Sequence, residues 1–236
     1  MGLQSAWEAL MMFLYPPRCP ACGRYRERRG AWCADCLARA CAVRRLRMTT
    51  DERDVLAEAW ALAIYTGALR DLVRRLKYQR RRDALAYVET FLHAAGPMFF
   101  ERCLLFPASN DAQRSQKNLV AVPVPLFYKK EQQRGFNQTE LLFEHFLAMH
   151  GIPMKRLLVR TRATRPQYGL SKDERKENMR GAFAVPDEQR DAVRGRDILL
   201  LDDIYTTGVT CAECARALKK AGANRIVVLA LTSGQV

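Results

Sequence analysis

No stretch of the 236 residues approaches the roughly 18 to 20 consecutive apolar positions that a membrane span requires, although 49% of them are hydrophobic. A membrane span is therefore excluded. An export signal is not expected either: Met1 to Leu14 lacks a basic start, carries Glu8, and runs into Pro16 and Pro17 without a small-residue cleavage site. The segment reads as an amphipathic helix, with Leu3, Trp7, Leu10 and Leu14 at helical spacing. A cytoplasmic location follows, where the eight cysteines stay reduced and paired spacing points to metal. Acidic residues are also scarce, 25 against 39 Lys and Arg, for a net charge of +14. Such an excess attracts nucleic acid, anionic lipid or phosphorylated ligands, unless it is only a solvated, arginine-rich surface. It is concentrated in two places: Arg70 to Arg82 holds seven basic residues against one acid, and Lys155 to Arg180 nine against three.

Aliphatic residues are few between Pro16 and Arg47, so that stretch cannot build a core of its own. What it has is Cys19-Pro-Ala-Cys22 and, ten residues later, Cys33-Ala-Asp-Cys36. Each pair lets two thiolates reach one ion, and four thiolates close the tetrahedral shell of a structural Zn2+ with no position left for water. Cys211 and Cys214 have the same spacing but no second pair, and are read as packing residues. Two domains are expected: an N-terminal helix and zinc module over 1–48, and an α/β domain over 49–236. The two are expected to have separate sources of stability.

After Met48 the pattern changes. Ala61 to Tyr65 is a strand candidate, Leu69 to Tyr78 a basic amphipathic helix, and Asp83 to Ala95 a helix ending before Gly96 and Pro97. Residues 107–118 are polar and form a surface loop. From Leu119 onward apolar runs alternate with helical stretches, as in a parallel sheet with crossover helices: Leu119 to Val124, Ile198 to Leu201 and Ile226 to Leu231 are the strands. Helices open near Asn137 and at Thr210, with Glu140 and Glu213 at capping-box spacing. No internal repeat is present.

The richest stretch is Ile198-Leu-Leu-Leu-Asp-Asp-Ile-Tyr-Thr-Thr-Gly-Val-Thr210. A buried strand delivers Asp202 and Asp203 at its C-terminal end, and a hydroxyl-rich turn leads directly into a helix. Turn N–H groups and the positive helix end cradle a phosphate, with the Thr206, Thr207 and Thr210 hydroxyls as further donors. The two carboxylates accept from sugar hydroxyls or hold waters of a Mg2+ ion. The Gly-Lys-Ser/Thr ending of a nucleotide-triphosphate loop is absent.

This stretch is similar to the phosphoribosyl pyrophosphate signature of type I phosphoribosyltransferases. Further segments resemble the ComF family of competence proteins: Pro123-Val-Pro125, Arg134-Gly-Phe-Asn-Gln138, Arg162-x-Thr164-x-x-Gln167-x-x-Leu170, Arg175-x-x-Asn178 and Gly181-Ala-Phe183, in order after the zinc module. The resemblance implies a type I phosphoribosyltransferase-like parallel sheet binding phosphoribosyl pyrophosphate, or a related nucleotide, with Mg2+. In it, Asp202 and Asp203 hold the ribose, while Tyr205, Thr206, Thr207, Gly208, Val209 and Thr210 hold the 5′-phosphate. Arg134 and Gly135 approach the pyrophosphate, and Arg162, Gln167 and Arg175 belong to a hood over the ligand. Lys77 is expected to contact phosphate or nucleic acid, although the glycine that usually follows it is replaced by Gln79-Arg80-Arg81-Arg82. An amidophosphoribosyltransferase is not expected, since that activity needs a glutaminase domain and this sequence opens on the zinc module. A link to DNA uptake in natural transformation is implied, with other competence or DNA-processing proteins as partners. Two readings stay open: a transferase acting on a nitrogen nucleophile, and a non-catalytic module for single-stranded DNA with Tyr65, Tyr78 and Phe136 as stacking partners.

Overall fold

The computed structural model describes residues 14–79, 82–103, 105, 118–165, 169 and 171–235. The expected N-terminal helix except Leu14, the 107–118 loop except Asn118, and Gln167 lie outside these residues. The N-terminal module contributes α1 (Ala34–Ala40) and the two-residue strand β1 (Arg44–Arg45), followed by the single turn α2 (Thr50–Arg53). Then come β2 (Glu58–Ile64), α3 (Gly67–Gln79), α4 (Ala84–Phe100), β3 (Leu119–Pro123), α5 (Tyr128–Arg134) and α6 (Gln138–Met149). A small hairpin of β4 (Val159–Arg160) and β5 (Phe183–Ala184) encloses α7 (Lys172–Met179), and α8 (Arg190–Val193) leads to β6 (Asp197–Tyr205), α9 (Val209–Lys220) and β7 (Ile226–Ser233).

The five-stranded sheet has the order β1-β2-β7-β6-β3, parallel throughout except for β1 at its edge. Continuous apolar runs suit strands covered on both faces, because successive side chains must both find a buried partner. In β6, Leu199 and Leu201 face Leu72, Phe91 and Phe143 of α3, α4 and α6, while Ile198 and Leu200 face Cys211, Cys214 and Leu218 of α9. Cys211 and Cys214 are thus packing residues.

Three expectations need correction. Helix α4 runs through Gly96 and Pro97 to Phe100. Gly96 is a packing site there, since a Cβ would lie 2.5 Å from the Phe146 ring of α6. Strand β6 extends to Tyr205, so both acids are strand residues and the turn starts later. The helix placed at Thr210 begins at Val209 with Gly208 as its N-cap, and Glu213 closes no capping box; its Oε2 accepts from the Gly181 N–H at 3.0 Å, while Oε1 pairs with Arg216.

The zinc module is packed on the α/β domain. Cys19, Trp32 and Cys36 are buried in the same apolar cluster as Leu69, Val88 and Phe91. The Trp32 indole N–H donates to the Tyr87 carbonyl at 2.9 Å, and a Cβ on Gly30 would meet the Ala86 carbonyl oxygen at 2.8 Å, so this turn lies directly on α4. Strand β1, before the expected boundary at residue 48, pairs Arg44 with Ala61 and Arg45 with Trp60. Removing the metal by chelation, or substituting Cys36→Ser, is therefore expected to lower one cooperative melting transition. Trp32→Ala should act on the same transition by about 3 to 5 kcal/mol, the usual range for emptying a buried aromatic site. Calorimetry checks this; two separated transitions would contradict it.

Candidate functional site

The carboxyl ends of β3 and β6 lie side by side, with Pro123 paired to Leu201 in the register of the sheet. Chain leaving β3 turns away over α5, and chain leaving β6 turns into α9, which opens a crevice where ligands of α/β sheets are held. The cleft has a volume of about 390 Å3. Asp202, Asp203, Thr206 and Thr210 line it together with Lys77, Lys130, Arg134, Arg160 and Arg175.

Asp203 is 5% exposed. Its Oδ1 accepts from the Lys77 ammonium at 2.8 Å, and its Oδ2 accepts from the Gln138 amide, whose own oxygen accepts from Arg134. The Thr232 hydroxyl donates to the Asp203 carbonyl at 3.1 Å. Lys77 is therefore a partner of the diacid. Asp202 is half-buried; Oδ1 accepts from the Asp203 N–H at 2.9 Å and Oδ2 lies 3.5 Å from the Cys211 thiol. Burial, and next the neighbouring Asp203 charge, push the Asp202 carboxyl up to about 7, against the opposing pull of Lys77.

Gly208 holds the turn after β6 in the left-handed region at φ 71°, and α9 presents its free N–H groups there. A second reason for glycine is beneath it: a Cβ would fall inside the buried Glu52 carboxylate and against the Tyr205 hydroxyl. Glu52 Oε1 accepts from Tyr205 at 2.7 Å, and Oε2 accepts from the Thr49 N–H and hydroxyl at 2.6 and 2.9 Å. Tyr205 is 1% exposed, so only its backbone belongs to the turn.

Of the expected site residues, Asp202, Asp203, Arg134, Arg175, Thr206 and Thr210 line the cleft. Thr207 and Val209 line a groove on the opposite side of the turn, with Thr49, Glu52 and Lys176. Gly135 caps α5 at φ 80° and Arg162 is exposed, donating to the Arg180 carbonyl at 2.9 Å; neither is among the lining residues. Lys130 and Arg160 are added by the structure. Arg160 comes from β4, with its guanidinium 5.6 Å from the Phe183 ring centroid. Burial, then the nearby Arg160 and Arg134 charges, lower the Lys130 ammonium. Nothing in sequence spacing singled out these two. Glu52 was findable, because Thr49-x-x-Glu52 is a capping-box pattern.

The two metal expectations fare differently. Ligand atoms of Cys19, Cys22, Cys33 and Cys36 lie within 4.8 Å of one another. Arg39 donates to the Cys36 sulfur at 3.4 Å and the Cys33 N–H to that of Cys19 at 3.4 Å. The Cys22 sulfur beside Cys33 raises the Cys33 thiol and burial raises that of Cys36, as expected of crowded thiols whose protons a metal would displace. Burial would raise the Cys19 thiol, but backbone N–H groups of Cys33, Cys22 and Ala21 bring it down to about 6. This set fits a structural Zn2+ with four thiolate ligands. The diacid does not fit a directly held Mg2+, since all four of its oxygens already face protein donors and one donor is an ammonium.

Comparison with known proteins agrees with the zinc assignment. Residues 10–46 match the double zinc ribbon domain. The chain is 30% identical over 214 residues to the DNA utilization protein YhgH of Salmonella typhimurium, across 90% of this chain and 82% of that protein. It is 33% identical over 132 residues to competence protein F of Haemophilus influenzae, across 54% and 57% of the two chains. With competence protein ComFC of Bacillus subtilis the identity is 28% over 204 residues, across 86% and 72%. Among solved structures, the glutamine phosphoribosylpyrophosphate amidotransferase from B. subtilis, complexed with ADP and GMP, aligns with 48% of this chain and 22% of its own at 19% identity. The TM-score is 0.32, too low to carry an argument.

The raised Asp202 pKa makes stability depend on pH. An aspartate near 3.8 when unfolded and about 7 when folded keeps its proton longer in the folded state, so stability falls as pH rises between those values and the penalty is complete above them. Asp202→Asn removes that titration. The variant is expected to melt above wild type at about pH 8, with the gap closing towards about pH 4. Thermal melts across pH check this, and a gap that does not change with pH would contradict it.

Proposed function

Because the chain belongs to the family of ComF competence proteins and YhgH DNA utilization proteins, we propose that its cleft binds phosphoribosyl pyrophosphate or a related phosphoribosyl compound and serves DNA uptake and utilization in the cytoplasm. One observation carries this reading: a diacid, a hydroxyl-bearing turn at a helix N-terminus and five cationic side chains converge on one crevice. In it the 5′-phosphate lies against Thr206, Thr210 and the first N–H groups of α9, where anions are favoured. Asp202 accepts from the ribose hydroxyls. Lys130, Arg134, Arg160 and Arg175 surround the pyrophosphate, their mutual repulsion relieved by an arriving polyanion. No step depends on Mg2+, which the resemblance implies and which the diacid does not hold directly.

In the transferase form of this reading, the bond from C1 of the ribose to pyrophosphate breaks, and a nitrogen nucleophile takes the carbon. Arg134, fixed by Gln138, then stabilises charge on the leaving group. A second reading has its own observation. Tyr78 is 72% exposed, with the Arg134 guanidinium 6.0 Å from its ring centroid, and Arg82 stands 5.4 Å from that of Phe136. Aromatic faces among arginines suit stacked bases of single-stranded DNA, and other DNA-processing proteins are the natural partners of such a surface.

Phosphoribosyl pyrophosphate is expected to raise the melting temperature, by about 2.7 kcal/mol of stabilisation at roughly a hundred times its Kd. Asp202→Asn with Asp203→Asn should remove the shift; a double variant that binds like wild type would place the site elsewhere. Pyrophosphate release with a panel of bases, lost in Arg134→Ala, supports the transferase form. Intact donor with a retained thermal shift supports the binder. Single-stranded DNA affinity should fall steeply with salt and weaken in Tyr78→Ala; salt-insensitive binding would leave the net charge unexplained by nucleic acid.

A further inference from the structure

The ammonium of Lys77 occupies the position beside the diacid where a divalent cation would otherwise be sought. It comes from α3, is 14% exposed, and lies 2.8 Å from an Asp203 carboxylate that is 6% exposed. Gln138 from α6 takes the other oxygen of Asp203, and the two oxygens of Asp202 face an N–H and a thiol. The apolar side of the same helix, Leu69, Leu72, Val73 and Leu76, is buried against the sheet, so the stem of Lys77 leaves a fixed support. A lysine placed in this way is a counter-ion built into the site. It also bars a second cation, because Mg2+ at Asp203 would stand against an ammonium of like charge within hydrogen-bond reach of the same carboxylate.

We propose that Lys77 is the resident cation of the diacid site, a positioning residue that lets the cleft take a ribose 5-phosphate group without a divalent metal. The inference rests on the phosphoribosyl reading of the cleft and adds which charge the site itself supplies. Lys77 acts through Asp203: it fixes the carboxylate, Asp203 fixes Gln138, and Gln138 fixes Arg134, so one ammonium sets the geometry of both the ribose end and the pyrophosphate end. Ribose 5-phosphate is the right probe because it lacks a pyrophosphate that would bring Mg2+ with it.

The full chain with its zinc is titrated calorimetrically with ribose 5-phosphate, once with Mg2+ and once in metal-free buffer at matched ionic strength. Zinc retention is confirmed in both. Wild-type affinity is expected to be the same in the two buffers. In Lys77→Met the unpaired carboxylate becomes a place for metal, so binding should weaken by about tenfold or more without Mg2+ and recover with it. Lys77→Arg should stay metal-independent. Melting curves with Mg2+ alone give a readout that does not depend on the ligand: Mg2+ should stabilise Lys77→Met and leave wild type unmoved. The Lys77→Met/Asp203→Asn double variant, which removes both charges, should fold and lose that response. Wild-type binding that requires Mg2+, or a Lys77→Met variant indifferent to Mg2+, would overturn the inference. If ribose 5-phosphate fails to bind in either buffer, the phosphoribosyl reading falls, while the response of Lys77→Met to Mg2+ alone still decides the role of Lys77.

Discussion

Two adjacent carboxylates at the end of a buried strand cannot both stay charged without help, and the cleft is arranged around that constraint. Asp203 is met by the Lys77 ammonium on one oxygen and the Gln138 amide on the other. Asp202 responds in the other way, by holding its proton up to about pH 7. Each solution recruits a different element. Lys77 brings α3, Gln138 brings α6 and through it Arg134, and Cys211 belongs to α9. The order of the helices around the cleft is in this sense the solution of an electrostatic problem posed by β6.

The same economy governs the turn that follows. Gly208 is needed for its positive φ and for the room it leaves to a buried glutamate, and that glutamate links the single turn α2 to Tyr205 through hydrogen bonds. Residues just after the zinc module thus support the turn from below, while the module itself lies on α4, which also packs on α3, α6 and β2. Metal site and cleft share a packed core. A change at one can reach the other through the helices that carry Lys77 and Gln138.

Much of this was legible in the sequence where the physics is local. The cysteine pairs, the apolar strands and the diacid followed by a hydroxyl-rich turn depend on neighbours a few residues away. The misread elements depend on distant ones. Gly96 and Pro97 look like a helix end, but the ring of Phe146 from α6 holds that backbone close and the helix continues. Glu213 looks like a capping-box partner, but it is used by the Gly181 N–H. The roles of Lys77 and Gln138 were hidden because a salt bridge across 126 residues leaves no pattern in either segment. Lys130 and Arg160 were lost among many similar cations, since only the fold decides which arginines of a basic chain share a crevice.

Placing a phosphoribosyl group in the cleft is the claim on which the functional account stands, and locating the ligand tests it most directly. In a crystal structure of the zinc-loaded chain with phosphoribosyl pyrophosphate, the account predicts the 5′-phosphate on the Thr206 to Thr210 turn at the start of α9. It predicts the ribose hydroxyls at Asp202, and the pyrophosphate among Lys130, Arg134, Arg160 and Arg175. Density for the ligand on the opposite side of the turn, in the groove lined by Thr49, Thr207 and Lys176, or beside the zinc module, would contradict it.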